Sequence, residues 1–194
     1  MLSLREPSAA EVAARRRLLS RAPLSAPADL VARADDDRPP LAWFHDESDG
    51  SLGDGEVTWR AAVDAVERWA CFDQGWLRLD APEHIQVGAL AAMVMRVGPV
   101  WFTNWCRITE RIDEADRFGF VYVTLDDHAE CGAERFLVTR AASGEVRWQL
   151  TAVSRPGAWF TWIGQPVVRV LQARFRRGAL AAMRAAVSAA VEPT

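Results

Sequence analysis

The chain has only three cysteines in 194 residues, Cys71, Cys106 and Cys131, too few and too widely spaced for a metal knuckle. They suit a reducing compartment, with at least one serving as core filler. Long apolar runs are also missing: the longest, near Val87 to Met95, falls far short of a membrane span. The amino terminus, MLSLREPSAAEVAARRRLLS, places acids and arginines where a signal peptide needs an uninterrupted apolar stretch. Excess positive charge is absent, and the formal net charge of -3 argues against generic nucleic-acid binding. No GxGxxG follows a strand, no GxxxxGK loop ends in Ser or Thr, and no GxSxG elbow occurs. These absences predict a cytoplasmic protein with no cofactor, no transmembrane segment and no specific nucleic-acid partner.

Half of the residues are apolar and a quarter are charged, the balance of a globular protein with one substantial core. Nine tryptophans against a single tyrosine, Tyr122, suit a thick core, an aromatic-lined pocket or an interface. Charge is distributed unevenly. Asp29 to Glu56 is acidic, whereas Arg169 to Arg184 holds five arginines and no acid: Arg169, Arg174, Arg176, Arg177 and Arg184. Such a run can meet an anionic surface or a protein partner. The leading expectation is that it is solvated or meets the chain's own acidic segment.

Residues 1–40 read as an amino-terminal arm. A short helix over Ala9 to Ser20 is capped by Ser8 with Glu11, and four prolines divide the rest of the arm into turns and extended pieces. Residues 41–194 read as a single domain. Leu41 to Phe44 makes a short strand before DESDGSLGDG turns the chain. Trp59, Ala62, Val63, Val66 and Trp69 recur at helical spacing, placing an amphipathic helix between about Gly55 and Gly75. Six β-like segments come next: 76–79, 87–95, 101–112, 118–125, 134–140 and 146–153. Their short connections favour an antiparallel meander, because parallel neighbours need crossovers of a dozen or more residues. Pro166 then opens a helix to about Val191, roughly 39 Å long. Val167, Val170, Leu171, Phe175, Ala182, Met183 and Ala186 form its expected inward stripe, interrupted by Arg174 and Gly178. The fold class is α+β, a curved antiparallel sheet wrapped around a long carboxy-terminal helix. It resembles the helix-grip fold of the Bet v 1 and START-related group, a likeness that implies an apolar cavity.

The segments DQGWLRL, NWCRI, RFGFVYVTLDDHAECGAERFLV, AVSRPG and PVVRVLQARF, in that order, resemble the uncharacterised protein family 0548. The likeness spans about Gly53 to Ala186. His128, Glu130, Glu134, Arg107 and Arg155 match the family's polar pattern. Members have a second Gly at Val123, a Gly at Asp127 and usually a Glu at Ala133, so this chain departs at three places. The family brings no established reaction with it.

The candidate site centres on the polar hairpin. His128, Glu130 and Glu134 could ligate zinc or iron, but their spacing is loose and no second imidazole lies nearby. Acid–base chemistry needs no metal: His128 titrates near neutrality, a glutamate orients it, and Tyr122 or Arg155 polarises a carbonyl. The same residues also suit a plain hairpin, with Glu134 paired to Arg135, Arg107 or Arg155. The expected function is binding of a hydrophobic or aromatic small molecule in an internal cavity. Its expected lining is Trp101, Trp105, Arg107, Phe118, Phe120, Trp148, Arg155 and Trp159. The alternatives are a cofactor-independent cyclase, isomerase or dehydratase using Tyr122, His128, Glu130 and Glu134, and a regulatory or scaffold protein with a solid core.

Overall fold

Alternating apolar and polar residues in the middle of the chain become one antiparallel sheet in the computed structural model, which describes residues 2–36, 43–126, 130–157 and 165–191. The strands are β1 (Leu2–Ser3), β2 (Phe44–Asp54), β3 (Leu77–Asp80), β4 (Leu90–Val97), β5 (Val100–Asp113), β6 (Arg117–Thr124), β7 (Glu130–Arg140) and β8 (Glu145–Pro156). They lie in the order β2-β8-β7-β6-β5-β4-β3, with β1 added against β5. Irregular pairing between Ile108 and Glu110 in β5, and between Ser51 and Gly53 in β2, marks bulges, which bend the strands they interrupt. The helices are α1 (Ala9–Leu19), α2 (Leu30–Asp36), α3 (Gly55–Glu67) and α4 (Gln165–Val191). The arrangement is the expected helix-grip fold. Among the described residues, no helix is long and apolar enough to cross a membrane.

Residues 46–54, expected to turn, form most of β2 instead. Their composition lacks apolar alternation, but β8 offers them a ladder from Phe44 opposite Ser154 to Asp54 opposite Glu145, interrupted only between Ser51 and Gly53. Backbone hydrogen bonding to a neighbour overrides weak strand propensity here.

Two layers cover the sheet. On the inner face, Trp59, Ala62 and Val66 of α3 join Phe118, Phe120, Tyr122, Phe136, Trp148 and Leu150 in the main core. Phe120 and Phe136 stack with centroids 4.8 Å apart, and Trp69 meets Phe120 edge-on at 4.8 Å. Trp69 adopts φ 60°, a left-handed conformation that costs a non-glycine residue about 1–2 kcal/mol. Burial of its ring and the hydrogen bond from its Nε1 to Pro82 O, at 3.0 Å, hold it there. This turn ends the helical period and leads into a 3-10 turn at Ala70–Phe72.

The outer face carries the amino-terminal segment. Ser8 and Glu11 form the expected capping box on α1. Val12 and Leu19 of that helix pack on Leu90, Ala92, Val94 and Trp105. Leu30 and Val31 of α2 cover Val121, Val123, Ala133 and Val153. Both faces of the sheet are therefore dry over much of their area.

The inward stripe of α4 is Ala179, Met183 and Val187, all buried, continued towards its amino end by Phe175 and Leu171. Val170, expected inside, is 65% exposed. Gly178 does not merely interrupt the stripe. A Cβ there would collide with Gln74 Oε1, and that glutamine donates to Cys71 O at 2.8 Å and Phe175 O at 3.1 Å. Gly178 thus lets the 3-10 turn lie directly on α4.

Candidate functional site

Strand alternation sends Glu130, Gly132, Glu134, Phe136 and Val138 of β7 to the inner face. Beyond Phe136 the aromatic core ends, and a cavity of about 340 Å³ remains between the sheet and the first half of α4. Its walls are mostly apolar, including Met93, Met95, Phe102, Leu150, Leu171 and Phe175. Tyr122, Glu130, Glu134, Gln172 and Arg176 also line it.

Tyr122 on β6 faces Glu134 on β7 in the strand register, and its hydroxyl donates to Glu134 Oε2 at 2.9 Å. Glu134 is half-buried, and desolvation pushes its carboxyl up to about 7 despite the tyrosine hydrogen bond and the Arg176 charge, which favour ionisation. Glu130 is likewise raised to about 7, by burial first and by the Glu134 charge second. The Gln172 amide donates to Glu130 Oε2 at 2.8 Å. Burial, followed by the Glu134 charge, holds the Tyr122 phenol well above its ordinary value. A hydrogen-bonded tyrosine and two carboxyls poised near neutrality, within apolar walls, can hold, release or share protons.

Behind this corner, β2 contributes Asp46. Arg169 Nη2 reaches Asp46 Oδ1 at 2.8 Å, and Arg176 Nη2 reaches the same oxygen at 3.2 Å. Arg169 also donates to Gln172 Oε1 at 3.1 Å. A chain therefore runs from Asp46 through Arg169 and Gln172 to Glu130. The basic run of α4 meets the acidic segment of its own chain. Arg174 instead stacks on Trp76 at 4.6 Å, Arg184 donates to Ser51 O at 3.1 Å, and Arg177 is exposed.

Of the sequence candidates, Tyr122, Glu130 and Glu134 converge on the cavity. His128 and Trp159 lie outside the described residues. The others are elsewhere. Trp105, with Trp101 against it, belongs to the outer cluster under α1. Phe118, Phe120 and Trp148 are inner-face residues, but they fill solid core beside α3. Arg107 shares the outer face with Trp105 and donates to Leu19 O, Ser20 O and Ala22 O, tying down the end of α1. Arg155 is exposed and lies over Trp43 at 4.8 Å. None of the three arginines expected to pair with Glu134 does so: Arg135 bonds Asp35. Ala133, where the family resemblance implies a glutamate, is buried on the outer face against α2, so that departure leaves the cavity untouched.

Asp46, Gln172 and the methionine-rich wall escaped the sequence reading, and Arg176 was named there only as part of the basic run. Only the alternation of β4 could have pointed to Met93 and Met95. Asp46 sits in a segment without strand pattern, and Gln172 becomes notable only once α4 is laid beside β7. Among the described residues, no group of three His, Cys, Asp or Glu side chains is placed to hold a metal ion.

The family described as a domain of unknown function, DUF1990, matches residues 27–182. A UPF0548 protein of Deinococcus radiodurans is 35% identical over 150 residues, which cover 72% of this chain and 74% of that one. A UPF0548 protein of Dictyostelium discoideum is 30% identical over 139 residues, and the match covers 64% of this chain and 63%, less than two thirds, of that relative. The crystal structure of the Zhui aromatase/cyclase from Streptomyces sp. R1128 superposes with a TM-score of 0.52 at 14% identity, covering 77% of this chain and 96% of that one. At that identity the likeness concerns the fold alone.

Proposed function

This chain belongs to the DUF1990 family, and we propose that it binds an apolar or aromatic small molecule in the cavity beneath α4, with the molecule's polar end at Tyr122 and Glu134. The observation that carries this reading is a mostly apolar pocket that also presents Tyr122, Glu130, Glu134, Gln172 and Arg176. A cavity of about 340 Å³ falls within the roughly 300–1,000 Å³ of small-molecule sites, which combine apolar walls with a few placed polar groups. The methionines add a deformable surface, since unbranched thioethers adapt to varied shapes.

The test is a neutral fluorescent probe, N-phenyl-1-naphthylamine, titrated into wild type and Ala152→Phe. Ala152 lines the cavity opposite Glu134 in the β7–β8 register, so a phenyl ring there fills the space. Wild type should bind with enhanced emission, and the folded variant should lose most of that binding. Equal binding by both proteins, or none by wild type, would count against the cavity.

One observation favours a second reading, proton-transfer catalysis in the same cavity. Glu134 has a carboxyl held at about 7 and hydrogen-bonded to a phenol, and a general acid or base works best when poised near the ambient pH. Glu130 and Tyr122 would be its partners in an isomerase, cyclase or dehydratase. The chain contains no lysine, so an imine on a lysine amine is not available to such a reaction. For a neutral substrate, Glu134→Gln should abolish turnover while leaving binding of the neutral probe intact. Retained turnover would eliminate Glu134 from that role.

A further inference from the structure

We infer that the cavity selects ligands bearing a protonated amine, with the ammonium group docked on Glu134. This deepens the small-molecule reading above and rests on it. Glu134 uses Oε2 to accept the Tyr122 hydrogen bond, while Oε1 has no hydrogen-bond partner among the described residues. No cation among the described residues stands within ion-pair distance of this carboxylate, although Arg169 and Arg176 lie on the adjacent helix. Both guanidinium groups are drawn to Asp46 instead. Among the described residues, both arginines are thus concentrated on Asp46, behind the cavity wall.

Arg176, held on Asp46, acts on Glu134 only at longer range, and the other described neighbours bring no positive charge. Tyr122 from β6 donates a hydrogen bond but carries no positive charge. Cys106 from β5 and Cys71 from the 3-10 turn are buried thiols, raised by burial and by the Glu134 charge, and therefore neutral. Met93 from β4 presents a thioether 3.9 Å from the Tyr122 hydroxyl. Glu130, on the same strand as Glu134, is itself an acid and brings no positive charge.

A carboxyl among largely apolar walls, with its nearest cation bound to another acid, takes up a proton or accepts a cation. An aromatic amine satisfies both parts of the cavity. Its ring replaces water against Met95, Phe102 and Phe175, and its ammonium replaces the proton on Glu134. A carboxylate ligand would place a like charge beside Glu130 and Glu134. A neutral alcohol would gain the apolar contacts and one hydrogen bond, without the charge pairing.

Three probes of matched shape separate the possibilities: 2-naphthylmethylamine, 2-naphthylmethanol and 2-naphthoate, titrated calorimetrically into the full chain at pH 7. The amine should bind at least about tenfold tighter than the alcohol, a preference equivalent to about 1.4 kcal/mol, and 2-naphthoate should bind weakest. Glu134→Gln should erase the preference for the amine while keeping the affinity for the alcohol. In wild type the amine should also release protons, seen as a binding heat that varies with the ionisation heat of the buffer. The alcohol should release none. This measurement stands even if the variant folds poorly. Equal affinity for amine and alcohol, or tightest binding of 2-naphthoate, would overturn the amine selectivity and leave the cavity reading intact. Failure of all three probes to bind would overturn both.

Discussion

Glu134→Gln stabilises the protein far more at pH 8 than at pH 5. The carboxyl is held at about 7 in the folded chain, against an ordinary value near 4.5 that it regains on unfolding. Between these values the folded state keeps a proton that the unfolded state has released. Stability contributed by the protonated form is therefore fully present below about 4.5, declines as pH rises, and is lost above about 7. At about 1.4 kcal/mol for each pH unit separating the two values, Glu134 costs about 3 kcal/mol at alkaline pH. Glutamine cannot ionise, yet its carbonyl oxygen still accepts from Tyr122. The variant should gain about 3 kcal/mol at pH 8, or about 6–12 °C in midpoint for a domain of this size.

Glu130 behaves in the same direction, but its contribution is not independent because the Glu134 charge helps to raise it. The lowered carboxyls of Glu11, Asp29 and Glu56 are solvent-exposed and titrate below this window. Urea unfolding of wild type and variant at pH 5 and pH 8 measures the difference. Parallel pH dependence in the two proteins would refute the assignment. Stability sacrificed at a desolvated carboxyl is the usual mark of a group retained for binding or chemistry.

Asp46→Asn should destabilise the protein by about 3 kcal/mol, the lower end of the cost of breaking a buried ion pair. Asp46 is only 11% exposed and receives both Arg169 and Arg176. Asparagine keeps the shape but leaves two guanidinium groups without their shared anion. Arg169 is the more exposed of the two and recovers part of the loss by hydration. The same substitution acts on the cavity. Asp46's charge raises both Glu130 and Glu134, so removing it moves both carboxyls towards ordinary values. Released arginines are also free to turn towards them. The variant should therefore show a weaker fall in stability between pH 5 and pH 8, together with a weaker preference for amines. An unchanged pH profile would mean that Asp46 does not govern the protonation of the cavity carboxyls.

Much of the frame was legible because periodicity reports solvent contrast directly. The alternation in β6 placed Phe118, Phe120 and Tyr122 on one face, and all three share the inner core. Pro166 marked the start of the long helix, observed from Gln165. The site was less legible. Alternation sorts residues onto two faces without saying which face meets a cavity, and here helices cover both. Trp105 and Arg107 share a face with each other, but it is the outer one, covered by α1. Trp148 shares the inner face with Leu150 and Ala152, yet only the latter two reach the cavity. Along one strand, solid packing beside α3 gives way to open space beneath α4.

The amino-acid sequence alone determined the order of helices and strands, the aromatic inner wall and the presence of Tyr122, Glu130 and Glu134 among the cavity candidates. Those features depend on local spacing and on hydrogen-bonding periods of two and 3.6 residues. Only the tertiary structure decided that residues 46–54 form a strand, that Arg169 and Arg176 converge on Asp46, and that Glu134 receives a tyrosine rather than an arginine. These outcomes depend on partners more than 100 residues apart for Asp46, and on cross-strand register for Glu134. The charge balance of the cavity follows from where α4 crosses the sheet, a position that no local pattern encodes.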